Sequence, residues 1–193
     1  SVAGAFPSGL STIEARTADI ADAVKRGADE IDIVLNRSAF LAGDEKRAFE
    51  EIVASKDACG EAHLKVILEV GELGSYDKIR QASMLAMTAG ADFIKTSTGK
   101  ISQASSLPRV LCMAEAVRDF AYQTDISVGI KAAGGIRTAK QAWHYLVVIG
   151  ETLGTKWLNP EMFRIGASGL LNDVLLQLNR LDSGSYSGPD YVT

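Results

Sequence analysis

Hydrophobic and polar positions along the chain switch repeatedly between two periods. Short apolar runs, several rich in β-branched residues, occupy 1–6, 30–36, 64–69, 92–96, 127–131 and 163–168. They are bounded by turn formers such as Pro7-Ser8-Gly9 and Ala89-Gly90-Ala91, and they read as strands. Between them apolar residues recur every three or four positions, as in Ile13, Thr17, Ile20 and Val24, then Phe49, Ile52 and Val53. Tyr76, Ile79, Ser83 and Met87 repeat the pattern, as do Val110, Met113, Val117 and Phe120. Ala142, Leu146 and Ile149 follow, and Leu170, Leu171, Val174, Leu175 and Leu178 mark a last amphipathic helix. Ser11 or Thr12 and Thr138 supply helix caps, Pro108 suits a first helical residue, and Gly27, Gly60 and Gly90 close helices.

Strands alternate strictly with helices at a spacing of roughly thirty residues, which is the signature of βα units and a parallel sheet. The strands are continuous apolar runs, as expected when both faces are covered. Two α/β architectures compete: an open doubly wound sheet and a (β/α)8 TIM barrel, which usually needs about 250 residues. Six units are present, and no glycine-rich dinucleotide fingerprint follows the first strand, which weakens the doubly wound reading. Ser1-Val2-Ala3-Gly4-Ala5-Phe6-Pro7 opens in mid-strand without a Met, so residues upstream are expected. The pattern predicts one domain over 1–182 and a flexible Ser/Gly/Pro-rich tail over 183–193.

Composition changes this picture little. The 193 residues are 47% hydrophobic and 23% charged, which fits one ordinary globular domain. A net charge of -4 implies no general affinity for nucleic acid or an anionic membrane, so any phosphorylated ligand must be held by local groups. No apolar run is long enough to span a bilayer and no secretory signal is visible. Cys59 and Cys112 fit no metal or redox spacing and suit packing in a reducing cytoplasm. His63 and His144 have no partner at ligand spacing, so no metal site is expected.

The chemistry collects at strand ends. Lys95 follows Phe93-Ile94 where the pattern calls for an aliphatic residue. A buried ammonium must be paired or lose its proton, and a neutral lysine attacks carbonyls. Alone, Lys95 reads equally as a side chain snorkelling from a strand end. Lys131 repeats the anomaly one unit later, and two like charges on neighbouring strands would drive one lysine toward its neutral form. Which one is not decided by the pattern, and a pair of salt-bridged structural lysines is the competing reading. Asp32 lies mid-strand, placed to point inward, counter one ammonium and move protons, or to serve as a purely structural ion partner. Glu30 shares its face and falls at the far end of the strand. Lys65, near the start of its strand, is expected at the bottom of the barrel or on its rim in a structural role, and Glu69 is expected to hold a loop. Gly134-Gly135, ahead of the Thr138-capped helix, and Gly166-Ala167-Ser168, ahead of the last helix, free backbone amides for an anion.

Several of these blocks resemble the signature segments of deoxyribose-phosphate aldolases. They are Phe93-Ile94-Lys95-Thr96-Ser97-Thr98-Gly99-Lys100, Lys131-Ala132-Ala133-Gly134-Gly135-Ile136-Arg137 and Arg164-Ile165-Gly166-Ala167-Ser168. Glu30-Ile31-Asp32-Ile33-Val34 and Leu64-Lys65-Val66-Ile67-Leu68-Glu69 join them, and the match runs in order from Ser1 to about Leu181. The resemblance implies a class I, metal-free aldolase on a (β/α)8 barrel, without a cofactor. It would cleave 2-deoxy-D-ribose 5-phosphate to glyceraldehyde 3-phosphate and acetaldehyde in deoxyribonucleoside catabolism. It implies Lys95 as the Schiff-base lysine, Lys131 as the charge that favours neutral Lys95, and Asp32 as the proton-relay acid. Gly134, Gly135 and Ser168 match phosphate-binding positions, with Gly166, Thr98 and Gly99 beside them. The match begins at the family's third strand, so this chain would hold the last six units. An acidic residue on the family's first strand has no counterpart, and Tyr191 stands near, but not at, the C-terminus where the family's tyrosine lies. The expected partner is a phosphorylated sugar, with no nucleic acid and no membrane; a homo-oligomer is left open. Two readings remain beside this one: a Schiff-base aldolase for another phosphorylated sugar, and an inactive phosphosugar-binding fragment.

Overall fold

A computed structural model describes residues 1–102 and 104–185. Six strands form one parallel sheet: β1 (Val2–Gly4), β2 (Glu30–Val34), β3 (His63–Ile67), β4 (Phe93–Lys95), β5 (Gly129–Ala133) and β6 (Phe163–Gly166). Helices α1 (Ile13–Lys25), α2 (Arg37–Leu41), α3 (Glu45–Cys59), α4 (Tyr76–Thr88), α5 (Leu107–Thr124), α6 (Ala139–Leu153) and α7 (Leu170–Ser183) connect and follow them. A short 3-10 turn, Thr155–Trp157, precedes β6. The tail reading at 183–193 and Tyr191 fall mostly outside the described residues, which stop at Ser185.

Strand order decides between the two architectures. The strands lie in sequence order, β1-β2-β3-β4-β5-β6, with every pair parallel. A doubly wound sheet reverses its order partway, whereas a barrel adds each strand beside the last. Consecutive helices α3 to α7 pack on one another in turn, as an outer ring does. The chain is therefore six βα units of a TIM-barrel type fold. β1 and β6 do not bond to each other, so the sheet stays open.

The core lies between sheet and helices. Ile31, Ile33, Leu64, Val66, Ile94 and Ile130 are almost fully buried against Ile20, Ile52, Ala82, Ala86, Met113 and Val117. Side-chain alternation leaves the opposite face to the other residues of each strand. That face carries Ala3, Asp32 and Lys65 in one aligned row, continuing to Phe93 and Gly129. A second row aligns Ile67, Lys95, Lys131 and Arg164. Polar residues are thus concentrated on the inner face of the curve.

Local chemistry sets the helix starts. Thr12, Asn36, Asp44 and Ser75 each accept a backbone N–H from the first turn of the helix that follows. Thr138 and Gln141 form a reciprocal capping box at α6. Pro108 is the second residue of α5, not the first. The C-terminal β5 boundary lies two residues past the expected one, because Ala132 and Ala133 continue the ladder beside β6.

Candidate active site

The inner face is built from the bottom upward on charge pairs. Glu30 receives Arg164 Nη1 on both carboxylate oxygens, at 2.6 Å to Oε2, and Lys65 Nζ at 3.0 Å. Burial would raise the Glu30 pKa, but these two cations lower it below the ordinary value. Arg164 and Lys65 also flank the Phe93 ring, at 4.5 and 5.5 Å from its centroid. The ring fits because residue 129 is glycine: a Cβ there would lie 2.3 Å from Phe93 Cε1.

Of the two places expected for Lys65, the structure gives the lower layer of the inner face. Lys65 is not on the rim: its side chain is 1% exposed, and its ammonium bridges Glu30 and Asp32, with Asp32 Oδ1 at 3.0 Å. Parallel register explains this, since Lys65 pairs with Asp32 and so faces the same interior.

Asp32 is the hub of the next layer. It accepts Lys65 Nζ on Oδ1, Lys95 Nζ on Oδ2 at 3.0 Å, and the Ser1 hydroxyl on Oδ1 at 2.8 Å. Burial pushes its pKa up, but the Lys95 and Lys65 ammonium groups outweigh that and hold it down at about 2. Asp32 is therefore a carboxylate throughout the neutral range. Lys131 stands beside Lys95 in register. Burial, then the Lys95 charge, lowers its pKa below the ordinary lysine value. Gly166 leaves room for the Lys131 side chain; a Cβ there would lie 3.2 Å from Lys131 Cε.

Above this layer opens a cleft of about 610 Å³. Every sequence-predicted site residue lines it except Asp32, which touches Lys95 from below: Lys95, Thr98, Gly99, Lys131, Gly134, Gly135, Gly166 and Ser168. Gly134 and Gly135 have φ of 90° and 83°, the left-handed conformation that glycine adopts without strain. The cleft ends at the start of α7, where helix N–H groups are available to an anion. Thr96, buried beneath it, both donates to the Ala133 carbonyl and receives the Ala133 N–H, locking the end of β4 to β5 just past the two lysines.

Glu69 is the residue whose reach the sequence showed least. It has φ 54° and is 1% exposed, and its carboxylate receives both the N–H and the hydroxyl of Thr98. Its expected loop-holding role is seen directly. Among the described residues, no group of three or more His, Cys, Asp or Glu is placed to hold a metal ion. Nor is any helix among them long and apolar enough to cross a membrane.

Two lysines on adjacent barrel-type strands, one of them bonded to a buried carboxylate and both lining a glycine-rich cleft, are groups that carbonyl and anion chemistry uses. The model of the DeoC/LacD family aldolases matches residues 2–172, and the chain belongs to that family. The deoxyribose-phosphate aldolase of Mus musculus is 47% identical over 187 residues, covering 97% of this chain and 59% of that protein. The Homo sapiens deoxyribose-phosphate aldolase is 48% identical with the same coverage. The chain thus spans less than two thirds of the length of these curated relatives. A crystal structure from Toxoplasma gondii ME49, described as a candidate deoxyribose-phosphate aldolase, superimposes with a TM-score of 0.82. It is 26% identical, and the match covers 95% of this chain and 71% of that one.

Proposed function

We propose that this chain carries the catalytic portion of an aldolase that cleaves 2-deoxy-D-ribose 5-phosphate to glyceraldehyde 3-phosphate and acetaldehyde through a lysine Schiff base. The observation that carries the reading is the Lys95–Asp32 contact at the floor of the glycine-lined cleft, with Lys131 alongside. The names of the relatives point the same way. Residues 1–182 act as one catalytic unit, working in a reducing cytoplasm where Cys59 and Cys112 stay free thiols.

The chemistry follows from the groups in place. Neutral Lys95 attacks the aldehyde carbon of the open-chain sugar, and loss of water gives a protonated imine. Removal of the C3 hydroxyl proton breaks the C2–C3 bond. The bonding pair moves into the C2–C1–N system as an enamine, and glyceraldehyde 3-phosphate leaves. Protonation at C2 and hydrolysis then release acetaldehyde and restore Lys95. Asp32, an anion at neutral pH, accepts and returns protons through bound water and steadies the iminium charge. Lys131 holds its proton less tightly than an ordinary lysine, which suits a proton donor to the departing hydroxyl of the carbinolamine. Gly134, Gly135, Gly166 and Ser168 hold the phosphate by backbone amides and the hydroxyl, with Thr98 and Gly99 forming the facing wall.

Borohydride trapping with acetaldehyde, followed by peptide mass mapping, tests the assignment. The expected result is a reduced adduct on Lys95, absent in Lys95→Ala; an adduct on Lys131 instead would overturn it. The glycine-lined cleft also allows a second reading, a phosphosugar-binding protein without turnover, since its backbone amides can hold a phosphate whether or not Lys95 reacts. That reading predicts phosphate binding with no trapped adduct.

A further inference from the structure

The cleft wall formed by the loop after β4 is held from behind, and the geometry points to Glu69 as the residue that positions it. Thr98 has two donors, its N–H and its hydroxyl proton. Both are taken by the Glu69 carboxylate: the N–H at 3.3 Å to Oε1 and 3.2 Å to Oε2, and the hydroxyl on Oε2. The same hydroxyl oxygen accepts the Lys100 N–H at 3.1 Å. Thr98 therefore has no proton left to give a phosphate, although it lines the cleft. Its part is to staple the turn, leaving Gly99 to face the ligand.

The staple is anchored in two further loops and the start of α2. Glu69 projects from the loop after β3 in a left-handed conformation, φ 54°, which turns its side chain toward Thr98. Arg37, the first residue of α2, lies 4.0 Å from Glu69 Oε2, and its Nε bonds Glu72 at 2.7 Å. Arg37 Nη1 also reaches the Pro7 carbonyl in the loop after β1, at 3.4 Å. On its other side the wall packs on the opposite half of the cleft: a Cβ on Gly134 would lie 2.4 Å from Ala104 Cβ and 3.9 Å from Gly99 Cα. Gly99, next to Thr98 in the turn, thus lies against Gly134. Lys95 hangs instead on Asp32, in a separate set of contacts.

Glu69 accordingly governs how tightly the phosphate end of the substrate is held, and not the imine chemistry. This rests on the phosphosugar reading of the cleft given above. The test uses Glu69→Gln, Thr98→Val, the double variant and Thr98→Ser, each checked for folding by thermal unfolding. Calorimetry with inorganic phosphate and steady-state kinetics with 2-deoxyribose 5-phosphate supply the readouts.

Glu69→Gln and Thr98→Val should each weaken phosphate binding and raise KM by about ten-fold, with kcat within about two-fold. The double variant should be no worse than either single one, since the two residues act as one unit. Thr98→Ser, which keeps the hydroxyl, should restore binding. Unchanged phosphate affinity in Glu69→Gln, or penalties that add in the double variant, would overturn the inference; the second result would mean that Thr98 serves the phosphate independently. Should Glu69→Gln not fold, Thr98→Val against Thr98→Ser decides. Phosphate binding needs no turnover. A wild-type protein that traps no acetaldehyde would therefore defeat the aldolase reading while the Glu69 inference is still measured.

Discussion

At Asp32 a single carboxylate serves two ammonium groups, and this has a consequence for stability that pH can read. Its folded pKa, about 2, lies below the ordinary 3.8. A group depressed on folding contributes stability that is fully present above the unfolded value and is lost as pH falls through the folded one. The window is therefore from about pH 4 down to about pH 2, and the contribution is on the order of 2 kcal/mol. Urea unfolding across that window should show this loss in the wild type and a flatter profile in Asp32→Asn. An identical slope in both would contradict it. Asp32→Asn should also lower stability at pH 7 by about 3 kcal/mol, because it removes one of the two carboxylates that pair the buried Lys65 and the carboxylate that pairs Lys95. Lys131 has the opposite sense. Its folded pKa is below 10.5, so the unfolded chain binds more protons and the contribution of this group becomes less unfavourable as pH rises toward 10.5. Under the proposed mechanism, Lys131→Leu removes the proton donor to the carbinolamine hydroxyl. Imine formation at pH 7 should fall by about a hundred-fold, read from borohydride-trapping rates. Asp32, Lys95 and Lys131 were legible in the sequence because each puts a charge where a strand pattern calls for an aliphatic residue. For Lys65 the strand-start position was legible, but its pairing with Asp32 was not, because one strand read alone does not reveal its neighbour's register.

Among the elements, the strands and long helices were legible because their periods differ and their boundaries carry chemical punctuation. The five-residue helix α2 was missed, since it is too short to show a period. The turn Thr155–Trp157 was missed for the same reason. Its Trp157 indole donates to the Val128 carbonyl at 3.1 Å, a contact that no local pattern announces. Two element-level tests follow. Thr138→Ala removes the cap that α6 presents at the cleft and should cost about 1 kcal/mol, measured by denaturant midpoint. Gly129→Ala, which drives a methyl into the Phe93 ring, should cost about 1–3 kcal/mol and disturb the Lys65–Arg164 layer beneath the site. A wild-type midpoint for Gly129→Ala would show that the ring can step aside freely.

For the molecule as a whole, the repeated βα unit made the barrel class readable, while the sheet order that excluded a doubly wound fold came from the structure. What no reading of periods could supply is the closeness of chain-distant side chains. Glu30 on the second strand and Arg164 on the last are 134 positions apart, yet they are directly bonded across the inner face. The backbone leaves the sheet open between β1 and β6, so this clasp draws together parts of the curve that the ladder does not join.

That clasp has a kinetic meaning. Joining two points so far apart along a chain costs more loop-closure entropy than any contact between adjacent units. The neighbouring βα pairs can form first, each from local segments, and the Glu30–Arg164 bond is then among the last to appear. Removing it should leave the refolding rate almost untouched and let the protein unfold faster. In stopped-flow experiments Glu30→Gln would then have a φ-value near zero. The same pair that anchors the charge layer under Lys95 would in that case act as a latch, setting how long the assembled site persists once made.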